Sequence, residues 1–311
     1  MEALKAFLKL LPLLVGLVIL VAIATLSPWR EVGALLRRVS WAEWLMMGVL
    51  SLSFFAAKSI RYWAMLRMLK FEVPLSRAAM AYVAAQPVTI IPGGEVYRGA
   101  LLERYAGISL KDSAPTLTMQ GLVESAVTLA VAFAGTLWIG QNRVVVLIAT
   151  LIVLVIMVAL RRGWLKDKEG AVNKLPFVDV SRKYFNRFVL AHRRLMRPDF
   201  LWSLVGLSVV AVGVGIAIIF VAARAIDAPL TWAQAAIAFS LPVVLGSVTL
   251  LPGGLGANEG TSIGILKLMG VATGAAVTMT LLLRLFTLGA GVILGLATLG
   301  FSYIGKPEND K

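Results

Sequence analysis

The chain has 311 residues, 59% of them hydrophobic and only 15% charged, with a formal net charge of +14 and a mean hydropathy of +0.87. Globular domains average about 45–50% apolar and about 25% charged residues, which excludes a soluble fold, a disordered chain, a disulfide scaffold and a coiled coil. With no cysteine and one histidine, thiol chemistry, thiolate zinc sites and histidine metal clusters are excluded, and no metal, cofactor or enzymatic step is expected.

A hydrocarbon core of about 30 Å needs about 20 apolar residues per helical span. The first apolar run, 8–26, follows Lys5 and Lys9. Its Ala22-Ile23-Ala24 triplet resembles a signal-peptidase site, but the run is longer than a signal-peptide core and reads as an uncleaved anchor helix. Pro28 ends it, and 29–40 reads as a short polar connection. Further spans are expected at 42–66, 114–140, 143–160, 200–223 and 273–301. Two shorter apolar segments, 76–91 and 233–251, each stop at Pro-Gly-Gly and read as re-entrant. The predicted fold is an all-α polytopic membrane protein with about six transmembrane helices and two re-entrant hairpins.

With that topology, 22 of the 30 Lys and Arg residues fall on the side of both termini, 6 fall on the other, and Lys58 and Arg284 lie inside apolar runs. The positive-inside rule then places both termini in the cytoplasm. The charge therefore encodes orientation rather than a nucleic-acid partner. Residues 161–199 carry 11 basic and 4 acidic residues. Val180, Tyr184, Phe188, Ala191 and Leu195 recur there at helical spacing, the pattern of a basic amphipathic linker on an anionic leaflet. His192 sits in its cationic run and reads as a solvated residue.

The chain also repeats itself. Glu72-Val-Pro74-Leu75-Ser76-Arg-Ala78 matches Asp227-Ala-Pro229-Leu230-Thr231-Trp-Ala233, and Val88–Gly94 matches Val248–Gly254 at an offset of 160. Two repeats follow, 42–140 and 200–303, joined by a connecting helix at 143–160 and the basic linker. An odd number of crossings separates the copies, so they are expected to be inverted, the layout of secondary transporters. Pro92-Gly93-Gly94 and Pro252-Gly253-Gly254 break the two hairpins. Proline removes a donor and glycine admits left-handed backbone, so the freed polar groups must line a cavity or be covered by protein.

An ionised residue in mid-span costs about 2.5–3.5 kcal/mol to insert. Glu124 and Arg284 occupy such positions and are repeat-equivalent, so they are expected at the repeat interface, paired or facing across a polar cavity. Glu95 and Arg98 beside one hairpin, and Asn258 and Glu259 beside the other, complete the candidate substrate-binding set; no catalytic residue is expected.

At these residues the sequence resembles the transmembrane region of lysylphosphatidylglycerol synthases, a flippase-like membrane family. The resemblance spans about 42–303 and rests on Gly94-Glu95-Val-Tyr-Arg98, Leu101-Leu102, Val123-Glu124, Pro252-Gly253-Gly254-Leu255-Gly256 with Glu259, and Leu283-Arg284-Leu285. It implies a membrane domain that moves lipids or lipid-linked head groups between leaflets. Larger members add a soluble aminoacyl-transferase domain. About ten residues follow the last span here, so lysyl transfer is not expected of this chain. Ser125 follows Glu124 where the family carries Arg, and Asn258 precedes Glu259.

The leading expectation is a lipid flippase whose ligand is an anionic phospholipid or a polyprenyl-phosphate-linked head group. Arg98 and Arg284 would attract phosphate, and Glu124, Glu95 and Glu259 would counter it or relay protons. A small-solute secondary transporter shares the inverted repeat but needs a cavity open to water. An accessory subunit would instead present lipid-linked sugars to a glycosyltransferase, and would need that lipid-modifying enzyme as partner.

Overall fold

The computed structural model describes residues 16–91, 94–139, 190–191, 194–248 and 252–304. Among these residues every regular element is a helix and none is a strand. The helices are α1 (Gly16–Leu26), α2 (Trp29–Leu36), α3 (Trp41–Met68), α4 (Leu75–Ala84), α5 (Glu95–Ala106) and α6 (Leu110–Ile139). After these come α7 (Pro198–Ala225), α8 (Trp232–Val248), α9 (Ala257–Leu268), α10 (Thr273–Arg284) and α11 (Ala290–Ile304). Short 3-10 turns, Gln86–Ile90 and Pro252–Gly254, lie between α4 and α5 and between α8 and α9. A π-turn, Leu285–Gly289, joins α10 to α11.

Among the described residues four stretches are long and apolar enough to cross a membrane: Trp41–Met68, Leu110–Leu137, Pro198–Ala225 and Thr273–Phe301. The pair α1 and α2, bent by 79°, would make a fifth as a single broken span. The protein is therefore a multi-pass helical membrane protein. The crossing expected at 143–160 and most of the basic linker lie outside the described residues.

One local expectation needs correction. Residues 29–40 are not simply a polar connection, because Trp29–Leu36 is helical. Pro28 ends α1 but also precedes the first turn of α2, where a fixed φ is compatible with helix initiation. Trp29 Nε1 donates to the Ala24 carbonyl at 2.6 Å and so clamps the bend. Ser40 then starts α3 through a capping box: Glu43 N donates to Ser40 Oγ, and the Glu43 carboxylate accepts from Ser40 N at 2.7 Å.

The same succession of elements occurs twice. A 28-residue helix leads to a short helix, a 3-10 turn and a 12-residue helix, and then to a long span. The 10 residues of α4 rise only about 15 Å, far below a membrane thickness. The second Pro-Gly-Gly, Pro252–Gly254, forms the 3-10 turn at the corner between α8 and α9.

Packing between the two halves is reciprocal. Helix α6 lies on α8, and α11 lies on α4 and its 3-10 turn. Two glycines 160 positions apart permit these contacts. A Cβ on Gly135 would come within 2.8 Å of Ile237 Cγ1, and one on Gly295 within 2.7 Å of the Val83 carbonyl. Gly135→Leu and Gly295→Leu should therefore each cost about 1–3 kcal/mol through overpacking. Gly213→Leu, with open space around its Cβ position, should be near neutral. Thermal unfolding in nanodiscs checks the ranking, and equal effects at all three positions would refute it.

Among the described helices the most extensive contact joins α3 to α7, and they run antiparallel. Phe54 shares a cavity with Val212, Arg61 donates to Ser208, and Arg67 shares a pocket with Arg197. The number rises on one helix as it falls on the other. The two 3-10 turns touch at the centre, where the Cβ position of Gly253 lies 3.6 Å from Ile90 Cα.

Candidate functional site: a charged cavity where the two interrupted segments meet

A cavity of about 210 Å³ opens beside the touching turns. Helix α3 contributes Phe54, Phe55 and Lys58, the first turn Gln86, and α6 Glu124 and Thr128. The other half contributes Phe239 and Pro242 from α8, Asn258 and Ser262 from α9, and Thr280 and Arg284 from α10. The wall mixes apolar rings with charged and hydroxyl groups, as ligand sites commonly do.

The charges form two clusters. In the first, Glu124 accepts from Lys58 Nζ at 2.6 Å and from Arg61 Nη2 at 2.5 Å. Arg61 is fully buried behind the wall, and its Nη1 donates to Ser208 Oγ at 2.8 Å, which ties α3 to both α6 and α7. The Lys58 ammonium also lies 4.3 Å from the Phe54 ring centroid. Lys58 and Arg61 are three residues apart, so one helical face presents both to the carboxylate.

In the second cluster Arg284 Nε pairs with Glu259 Oε1. Arg284 Nη2 also donates to the Gly253 carbonyl at 3.3 Å, reaching into the second Pro-Gly-Gly turn. Glu259 caps its own helix by accepting from Gly256 N at 2.6 Å. With the Asn258 amide oriented to donate to the Pro242 carbonyl, its oxygen accepts from Arg284 Nη2 at 3.2 Å. Gly253 and Gly254 hold φ of 57° and 66°, the left-handed backbone that glycine adopts without penalty. Arg284 is also the last residue before the π-turn, whose Phe286 carbonyl is taken up by Ser51 Oγ at 2.6 Å. Such turns release backbone groups that need partners.

Glu124 and Arg284 thus do not pair with each other; each is neutralised from its own half, and both line the same cavity. In and directly behind the wall stand three cations, Lys58, Arg61 and Arg284, against two carboxylates, Glu124 and Glu259. The excess is one positive charge.

Arg98 and Glu95 lie elsewhere. Arg98 is 2% exposed; its Nη2 pairs with Glu95 at 2.8 Å and its Nη1 donates to Gln120 Oε1 at 2.9 Å. Its guanidinium lies 4.3 Å from the Tyr82 ring centroid, so α5 is pinned onto α4 and α6. It does not line the cavity. Gly94 precedes α5 and donates from its N–H to the Ile91 carbonyl at 2.9 Å. Pro92 and Gly93 lie outside the described residues. A larger groove of about 690 Å³ between α6 and the start of α8 has no charged side chain in its lining. Among the described residues no group of three or more His, Asp or Glu is placed to hold a metal ion.

Lys58 and Arg61 are the functional candidates that sequence reasoning missed. Lys58 was readable as a charge within an apolar run, and Arg61 stands three residues further along the same helix. The argument that singled out Glu124 applies to both.

A family model for the lysylphosphatidylglycerol synthase transmembrane region matches residues 10–295. The chain belongs to this family. No curated protein matches it. The match covers both interrupted segments and every charged residue that lines the cavity.

Proposed function

We propose that the protein carries an anionic lipid head group between leaflets of the bacterial inner membrane, through a cleft between two inverted repeats, with both termini cytoplasmic. The observation that carries this reading is the cavity at the meeting point of the interrupted segments, with three cations set against two carboxylates. A head-group phosphate would meet Lys58 and Arg284 from opposite walls, while its acyl chains stay among lipids. The antiparallel run of α3 against α7, and the reciprocal packing of α6 on α8 and α11 on α4, support inverted copies that rock about the cavity. No bond is made or broken in this reading, so the protein is a carrier and not an enzyme.

The test is head-group flipping in proteoliposomes, followed with fluorescent phosphatidylglycerol and phosphatidylcholine. Wild-type protein should flip the anionic lipid faster. Lys58→Gln, which leaves Glu124 paired with Arg61 but removes the excess charge, should slow phosphatidylglycerol flipping by about tenfold, the effect of losing roughly 1.4 kcal/mol. Flipping unchanged by Lys58→Gln, or equal for both lipids, would reject the assignment. A small-solute carrier would move no lipid. An accessory subunit would act only with its enzyme partner.

A further inference from the structure

A second charged site lies at the far end of the α3–α7 pair. A pocket of about 580 Å³ there is lined by Trp63, Arg67, Lys70, Arg194, Arg197 and Phe200, together with Ala64 and Met68. Its four cations are exposed, while its two rings are half-buried. Among the described residues one carboxylate neutralises any of them: Asp199, 3.2 Å from Arg197. The local excess is therefore three positive charges, larger than that of the central cavity.

The pocket is built by specific backbone features. Helix α3 ends with Phe71 N bonded to the Leu66 carbonyl and Lys70 N bonded to the Arg67 carbonyl, the paired arrangement of a Schellman cap. The left-handed residue of that cap is ordinarily glycine. Here it is Lys70, at φ 70°. A side chain held in this disfavoured conformation points to a use for its ammonium. Trp63 Nε1 donates to the Val73 carbonyl at 2.9 Å, which fastens the chain beyond the cap to the pocket's aromatic wall. Arg67 and Arg197 lie 5.9 and 5.8 Å from the Trp63 and Phe200 ring centroids.

Depth identifies the ligand. The pocket sits where two membrane-length helices end and begin, and Trp202 is exposed one turn into α7. Aromatic rings at span ends mark the membrane–water interface, and cations just outside them lie at the level of lipid phosphates. The positive-inside count assigns this end to the cytoplasmic leaflet.

We infer that the Arg67–Lys70–Arg194–Arg197 pocket is a binding site for an anionic phospholipid of the cytoplasmic leaflet, separate from the central cavity and independent of whether that cavity transports lipid. The cations hold the phosphate, and Trp63 and Phe200 pack against the glycerol and the first methylenes.

Full-length protein in nanodiscs doped with photoactivatable phosphatidylglycerol should cross-link at residues 63–70 and 194–200, mapped by mass spectrometry. Arg67→Gln/Arg194→Gln should lower that labelling by about tenfold or more, since each surface cation near anionic lipid contributes about a factor of five. Arg77→Gln, on the exposed face of α4, should leave it unchanged. Lys70→Gly separates binding from folding, because it relieves the left-handed lysine and should raise the melting temperature while lowering labelling. Arg284→Gln should keep this labelling even where it abolishes flipping, so failure of the central site and of this one are distinguishable. Labelling unchanged in the double variant, equal labelling by a photoactivatable phosphatidylcholine, or displacement by excess inorganic phosphate would each overturn the inference.

Discussion

Glu124→Gln should destabilise the protein more than any other single neutral substitution in the cavity, by about 3 kcal/mol. The carboxylate is the shared acceptor of Lys58 and Arg61, and Arg61 is fully buried. Removing the negative charge leaves two cations facing each other in a low-dielectric interior, the arrangement that makes a broken buried pair expensive. Lys58→Met is the informative contrast. It leaves Glu124 bonded to Arg61, so the remaining pair is neutral and the cost falls to about 1 kcal/mol. Thermal unfolding in nanodiscs should place Glu124→Gln roughly 5–10 °C below wild type, with Lys58→Met between them. A Glu124→Gln protein as stable as wild type would show that the carboxylate does not hold α3 and α6 together.

The second large effect concerns Arg284. In a double-mutant cycle, Arg284→Gln and Glu259→Gln should show a coupling of about 2 kcal/mol, whereas Arg284→Gln and Glu124→Gln should couple by less than about 0.5 kcal/mol. The reason is that Arg284 bonds Glu259 and the Gly253 carbonyl, while Glu124 is fully engaged by Lys58 and Arg61. Exchanging the charges of Glu124 and Arg284 should accordingly rescue neither single reversal. Arg284→Ala should also cut lipid flipping by about tenfold or more. It removes a cation from the wall, and it releases the Gly253 carbonyl and the Asn258 amide, which hold the second Pro-Gly-Gly turn against α10. Strong coupling between Arg284 and Glu124, with none between Arg284 and Glu259, would contradict the geometry of both clusters.

Much of this was legible in one dimension. Apolar runs of span length, the two Pro-Gly-Gly stops and the repeated Val88–Gly94 and Val248–Gly254 motifs marked the long helices and the interrupted segments. These are local properties: about 20 apolar residues, or a proline followed by two glycines, act the same way in any context. The helix at Trp29–Leu36 was missed because a proline that ends one helix can also begin the next, and only the bend angle tells the two roles apart.

Partner choice belongs to the tertiary level. The sequence by itself determined that Glu124 and Arg284 are mid-span charges needing compensation, because burying an unpaired charge is too costly anywhere in a bilayer. It could not say that Lys58 and Arg61 answer one and Glu259 the other, nor that Arg98 is locked under Tyr82 away from the cavity. Those outcomes depend on how α3, α6 and α7 rotate about their axes and on how closely Gly135 and Gly295 let the two halves approach. A helix sequence specifies which side chains share a face. Only packing against the other helices decides what that face meets, because ion pairs fade over a few ångströms while the partners lie 25 to 66 residues apart along the chain.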